Sequence, residues 1–222
     1  MWLSLANIVG LLLTWGVWLW VINREFNPAV SLAISIAGPL LVVPVVYLGR
    51  RLLDKQPEVL QAVWLTTGVH YVLGVLLGTS LIEATQLAQG LALWPLRLPT
   101  WLGLGLMVVS GVALALVVFN LALKGLGLPA AMALTRQVAT DWMYAWTRNP
   151  MVLSALAFLV GLGLWLQSGL FVVWALVVFS PALFVFLVVY EERELEIRFG
   201  REYLEYKART PMFWPRRPRR DR

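Results

Sequence analysis

Cysteine is absent from this 222-residue sequence, and histidine occurs once, at His70. Thiol redox chemistry, thiolate zinc sites and histidine-based metal clusters therefore have almost no residues to build on. Charge is scarce as well: Asp, Glu, Lys and Arg make up 14% of the residues against 60% hydrophobic ones. Soluble domains carry about 25% charged residues, so the composition describes an integral membrane protein. Any catalysis must run on carboxylate, Arg, Tyr or backbone groups, or on a bound cofactor.

The net charge of +6 is concentrated at the end, in Arg216-Arg217-Pro218-Arg219-Arg220-Asp221-Arg222. Beside a bilayer such a run reads as an anionic-lipid contact and a topology signal, not as a nucleic-acid site. The apolar start, 2–22, lacks a basic leader and holds four tryptophans. It is expected to be a retained helix, not a cleaved signal peptide.

A helix needs about 20 apolar residues to cross the hydrocarbon core. Six segments qualify: 2–22, 29–48, 60–82, 101–121, a marginal 151–166, and 170–190. Pro39 and Pro44 fall inside the second and predict kinks. Only Gln167-Ser168-Gly169 separates the last two, which demands a tight antiparallel hairpin. The expected fold is thus an all-α integral membrane protein of about six transmembrane helices, the last two a hairpin, followed by a cytosolic C-terminal helix. Its division is expected at 1–122, the first four helices, and 123–222, the loop, hairpin and tail.

Lysines and arginines set the orientation. With the tail in the cytoplasm, sixteen of them lie inside and only Arg24 and Arg97 outside, so both termini are expected to be cytosolic. The loop 124–150 and the tail after Tyr190 then lie on one side and can build one site.

Six of the 12 acidic residues crowd into 191–207 of that tail: Glu191, Glu192, Glu194, Glu196, Glu202 and Glu205. Read as a helix, it places Glu192, Leu195, Phe199, Tyr203 and Tyr206 on one face. Glu194–Arg198 and Arg198–Glu202 become i,i+4 pairs on another, and Glu194, Glu196 and Glu205 are left to solvent. Gly200 weakens an unbroken helix. Upstream, Tyr144-Ala145-Trp146-Thr147-Arg148-Asn149-Pro150-Met151 opens the hairpin. Pro150 suits a first helical turn, Asn149 an N-cap, and Arg148 offers a planar fork for a carboxylate or phosphate. Each feature also has a purely structural reading, as a capped helix and a solvated interfacial one.

The stretch 144–151, the hairpin, Glu191-Glu192, and then Phe199-Gly200, Glu202-Tyr203-Leu204-Glu205-Tyr206-Lys207, Arg209, Pro211 and Pro215 resemble the isoprenylcysteine carboxyl methyltransferase family and the related membrane phospholipid methyltransferases. The resemblance covers about the last 80 residues. Trp142-Met143, Val152 and Ser154 depart from the family pattern. The resemblance implies an enzyme: an S-adenosylmethionine-dependent methyltransferase acting on a hydrophobic or lipid-like acceptor drawn from the membrane. It implies Glu192 and Arg148 as catalytic residues. The cofactor would be bound by Tyr144, Arg148, Asn149, Pro150, Met151, Glu191, Glu192, Tyr203 and Tyr206, with no metal. Methyl transfer from a sulfonium needs mainly alignment and exclusion of water, which agrees with a chain without metal ligands. Two other readings stand beside it, a membrane reductase using NADPH and a non-enzymatic membrane protein; no reductase-type Gly-Trp-Trp segment precedes Arg148.

His70, mid-membrane in the third segment, is expected to be neutral and hydrogen-bonded within the bundle. Glu83 and Asp141 fall near expected helix ends, where solvation is the default.

Overall fold

The computed structural model describes residues 2–91, 94–123 and 137–217. Within them the chain is helical: α1 Trp2–Ile22, α2 Pro28–Lys55, α3 Val59–Gly90, α4 Thr100–Leu123, a single 3-10 turn Trp142–Ala145, α5 Pro150–Trp165, α6 Gly169–Phe199 and α7 Arg201–Arg209. Among the described residues no strand forms; one isolated bridge joins Pro95 to Ser168. The 122/123 division, Lys124, Arg136 and the tail beyond Arg217 fall at or outside the described residues.

Helices α1 to α4 and α6 are long and apolar enough to cross a membrane. Helix α5 has 16 residues, about 24 Å, shorter than the roughly 30 Å hydrocarbon core. The second and third segments extend beyond the boundaries drawn from hydropathy. α2 runs through Pro39 and Pro44 to Lys55, and α3 continues past Ile82 to Gly90. Hydropathy ends where polar residues begin, but Glu83-Ala84-Thr85-Gln86-Leu87-Ala88-Gln89 holds several good helix formers and the helix stops only at Gly90.

The helices pack in a bent row: α1 on α3, α3 on α2, both α3 and α2 on α6, α6 on α5, and α5 on α4. Polar groups also link them, and three of these donate to backbone carbonyls: Trp18 Nε1 to Gly74 O, Ser80 Oγ to Ile34 O and Trp174 Nε1 to Ser35 O. In hydrocarbon an unpaired donor costs several kcal/mol. At Gly49 a Cβ would stand 2.7 Å from the Tyr190 ring. Glycine there lets α6 sit close to α2, with Tyr190 wholly buried and its hydroxyl 3.0 Å from Thr66 Oγ1 of α3.

The hairpin forms as its short connection demands. Ser168 Oγ caps α6 by accepting from Phe171 N, and the segment before α4 is tied to it by Leu96 N to Gln167 O and Gly169 N to Trp94 O. Two π-helical stretches widen α6, at Ala175–Phe179 and Phe186–Glu191. The second adjoins the acidic tail, so it shifts the angular position of every following side chain.

His70 Nδ1 meets Thr66 O at 2.8 Å and its ring packs edge-on against Phe186. Glu83 departs from expectation. It is fully buried against the bundle because α3 continues for two turns beyond it, and neither carboxylate oxygen has a hydrogen-bond partner among the described residues. Asp141 instead accepts from Asn120 Nδ2 at 3.2 Å.

Candidate functional site

The site is built where the tail folds back over the mouth of the hairpin. α6 ends at Phe199, and Gly200 takes φ +53°, ψ −124°, a backbone conformation open chiefly to glycine. The chain turns there into α7, whose Tyr206 hydroxyl donates to Tyr144 O at 2.8 Å. Residues 210–217 then cross the entrance of α5 as a strap. Arg148 N donates to Pro211 O, Thr147 Oγ1 and Asn149 Nδ2 both donate to Met212 O, and Arg216 N donates to Trp146 O. Met212 and Phe213 pack against the core cluster that contains Phe186 and Tyr190.

The break at Gly200 corrects the reading of the tail as one helix with one continuous face. Glu192 lies on α6 while Tyr203 and Tyr206 lie on α7. It is the fold-back, not helical periodicity, that brings these elements over 144–149. Asn149 is corrected too: it stands at the N-cap of α5 but its side chain makes no capping bond and turns to Met212 instead. Pro150 occupies the first helical position and is buried.

At the centre stand Arg148 and Glu192. Their side chains are 10% and 16% exposed, and Arg148 Nη2 lies 2.8 Å from Glu192 Oε1. This approach is close but off the N–H axis, since Glu192 Oε1 makes no hydrogen bond. The other Glu192 oxygen receives Lys207 Nζ at 2.6 Å. Arg148 Nε and Nη1 are buried and have no partner among the described residues. Buried guanidinium nitrogens are rarely left so; Nε and Nη1 flank the Cδ edge and point in different directions, so they are two separate charged donors, each suited to an anionic or carbonyl oxygen.

Around this pair runs a chain of alternating charges. Lys207 also reaches Glu196 at 3.0 Å, Glu196 meets Arg193 at 3.5 Å, and Arg193 meets Asp54 at 2.8 Å. Asp54 in turn meets Arg50, whose Nη1 donates to Val189 O. The chain joins the end of α2 to α6, α7 and the loop before α5. Glu196, expected in solvent, is part of this chain, and no local signal marks Lys207, since 15 residues separate it from Glu192 and only the turn at Gly200 closes that distance. Glu194 is likewise corrected: it is 2% exposed and paired with Arg198 at 2.7 Å. Glu205 stays outside, as expected, beside Arg201.

Three tyrosines complete the site. Tyr203 and Tyr206 are buried with ring centres 6.2 Å apart, and Tyr144 is partly buried. Burial holds all three phenols well above their ordinary pKa; Glu191 adds to this at Tyr144, Glu192 at Tyr203, and the neighbouring tyrosines at Tyr206. They are neutral donors and apolar faces at any ordinary pH. For Lys207, burial alone would lower the pKa, but its bonds to Glu192 and Glu196 outweigh that and raise it, so it stays charged. Met151 begins α5 beside Pro150, and Glu191 precedes Glu192 at the end of the second π stretch. Among the described residues no cluster of His, Asp and Glu could hold a metal.

Residues 98–202 match the family model for phospholipid methyltransferase, a little under half of the 222 residues. No curated protein and no solved structure matches the chain. The matched stretch runs from just before α4 to the start of α7 and includes Tyr144, Arg148 to Met151, Glu191 and Glu192; Tyr203, Tyr206 and Lys207 follow directly. Over this region the chain is similar to the phospholipid methyltransferases, which supports the resemblance to the membrane methyltransferases of the phospholipid and isoprenylcysteine type.

Proposed function

We propose that the protein binds S-adenosylmethionine between the 144–151 segment and the α6–α7 fold-back, and transfers its methyl group to a hydrophobic or lipid-like acceptor arriving from the membrane, with the site on the cytosolic side. The observation that carries this is the pair of unpartnered, buried nitrogens on Arg148, Nε and Nη1. A cofactor that carries a carboxylate and further acceptor oxygens would satisfy the two donors separately. When bound it supplies a methyl group already activated on a sulfonium, so the residues have to hold, align and dehydrate.

In this reading Glu192 fixes the guanidinium through Nη2 and leaves the other two donors facing the ligand. Lys207 holds the second Glu192 oxygen and keeps that carboxylate charged and in place. The faces of Tyr144, Tyr203 and Tyr206 provide an electron-rich, water-poor lining suited to a cation such as a sulfonium. Glu191, the neighbour of Glu192 in sequence, is a second carboxylate to take a proton from an acceptor as its nucleophile is used. The strap 210–217 closes the entrance from water. Alignment of this kind contributes on the order of 7 to 11 kcal/mol to such a reaction.

The test is equilibrium binding of labelled S-adenosylmethionine and of NADPH to purified protein. S-adenosylmethionine should bind and NADPH should not, and Arg148→Met should weaken binding about 10- to 100-fold through loss of charge-assisted bonds. NADPH binding alone would favour the reductase reading, and binding of neither the non-enzymatic one.

A further inference from the structure

The strap that closes the site has a second face that the proposed reaction does not use. Phe213 stacks on Phe184 of α6, ring centres 4.6 Å apart and 19° from parallel. Phe184 is itself exposed on the outer surface of a membrane-crossing helix, six residues before Tyr190, or about 9 Å along the axis. Phe213 is therefore held at the edge of the apolar slab. The next residue, Trp214, is 87% exposed, the extreme value among the exposed large hydrophobic side chains described. Trp142 and Trp146, also exposed, belong to the segment that the strap covers, and Trp146 O receives Arg216 N. Arg216 and Arg217 follow, both exposed, and their sequence continues into the further arginines Arg219, Arg220 and Arg222.

Tryptophan is the residue of the bilayer interface, and clustered arginines beside a membrane meet anionic headgroups. We propose that the strap docks on the anionic lipid of the leaflet that borders the site, with Trp214 in the headgroup layer and Arg216 and Arg217 against lipid phosphates or carboxylates. Charge complementarity and continuity with the membrane-facing Phe184 single out lipid as the occupant. Since the same strap holds Arg148 N, Thr147 and Asn149, docking steadies the segment that presents Arg148. That last consequence rests on the proposed cofactor site; the docking itself does not.

The absence of cysteine allows a single spin label to be placed at Pro215→Cys. The full chain is reconstituted in phosphatidylcholine nanodiscs and in equimolar phosphatidylcholine and phosphatidylglycerol. In the anionic discs the label should lose access to a water-soluble relaxation agent and gain access to oxygen, and high salt should reverse this. Each arginine near such a surface contributes about fivefold, so Arg216→Gln with Arg217→Gln should lower the docked-to-free ratio roughly 25-fold. Equal accessibility in both discs, or in the neutralised and parent chains, overturns the proposal. So does a shift on adding duplex RNA but not on adding phosphatidylglycerol, which would point to nucleic acid. No methyl transfer is read, so this outcome and that of cofactor binding are independent.

Discussion

Glu192→Gln should destabilise the protein more than Lys207→Met, and the reason is exposure. Glu192 holds two cations, Arg148 at 2.8 Å and Lys207 at 2.6 Å. Breaking a fully buried ion pair by removing one partner costs about 3 to 5 kcal/mol, because the other charge is left without compensation. Arg148 and Glu192 are 10% and 16% exposed, so the cost falls somewhat below that range, to about 2 to 3 kcal/mol. Lys207 is 33% exposed, can turn to water or to Glu196, and its removal should cost only about 0.5 to 1 kcal/mol. The difference of about 2 kcal/mol is roughly 30-fold in the folding equilibrium. Reversible unfolding in mixed micelles, followed by helix content, measures it, with Arg201→Ala at the exposed Arg201–Glu205 pair as the control expected to show no change. If Lys207→Met costs as much as Glu192→Gln, the hierarchy drawn from burial is wrong and Lys207, not Arg148, is the principal partner of Glu192.

Alkaline pH should loosen the same region. Tyr144, Tyr203, Tyr206 and Lys207 all have folded-state pKa values raised above their ordinary ones, so the folded state keeps protons that the unfolded chain releases from about pH 10 upward. Their contribution is intact below that pH and lost above it. Melting temperature should be level from neutral pH to about 9.5 and fall beyond, and a level profile to pH 11 would refute it. Gly200→Ala should cost about 1 to 3 kcal/mol from backbone strain alone, since a Cβ there would meet nothing within 4 Å. Protease sensitivity around 199–201 should rise, and unchanged stability would show that the turn tolerates a side chain.

The long apolar helices, the hairpin and the two segments that the structure brings together, 144–151 and the tail, are legible in the sequence because hydropathy and short connections are local signals. Gln167-Ser168-Gly169 leaves no topology but a hairpin, and Asn149-Pro150 marks a helix start whatever surrounds it. What escaped depends on contacts distant in sequence. Periodicity continued the tail helix through Gly200, yet a positive φ there redirects Lys207 onto Glu192. Asn149 before Pro150 predicts a cap, but Met212 O takes its side chain where the strap crosses. Glu194 looks like any surface glutamate in an i,i+4 pair, and only the packing of α6 against α3 buries it. Glu83 shows the converse error: hydropathy ended the helix too soon and gave the carboxylate water that the structure denies it.

Incubating membranes that contain the protein with S-adenosylmethionine carrying a deuterated methyl group, then surveying lipids and hydrophobic small molecules by mass spectrometry, puts the proposed reaction to its most direct trial. A labelled membrane-derived product should form with the parent chain and be lost with Arg148→Met, whose missing guanidinium removes the two unpartnered donors. No labelled product from the folded parent protein, or equal labelling by the Arg148→Met chain, would contradict methyl transfer at this site.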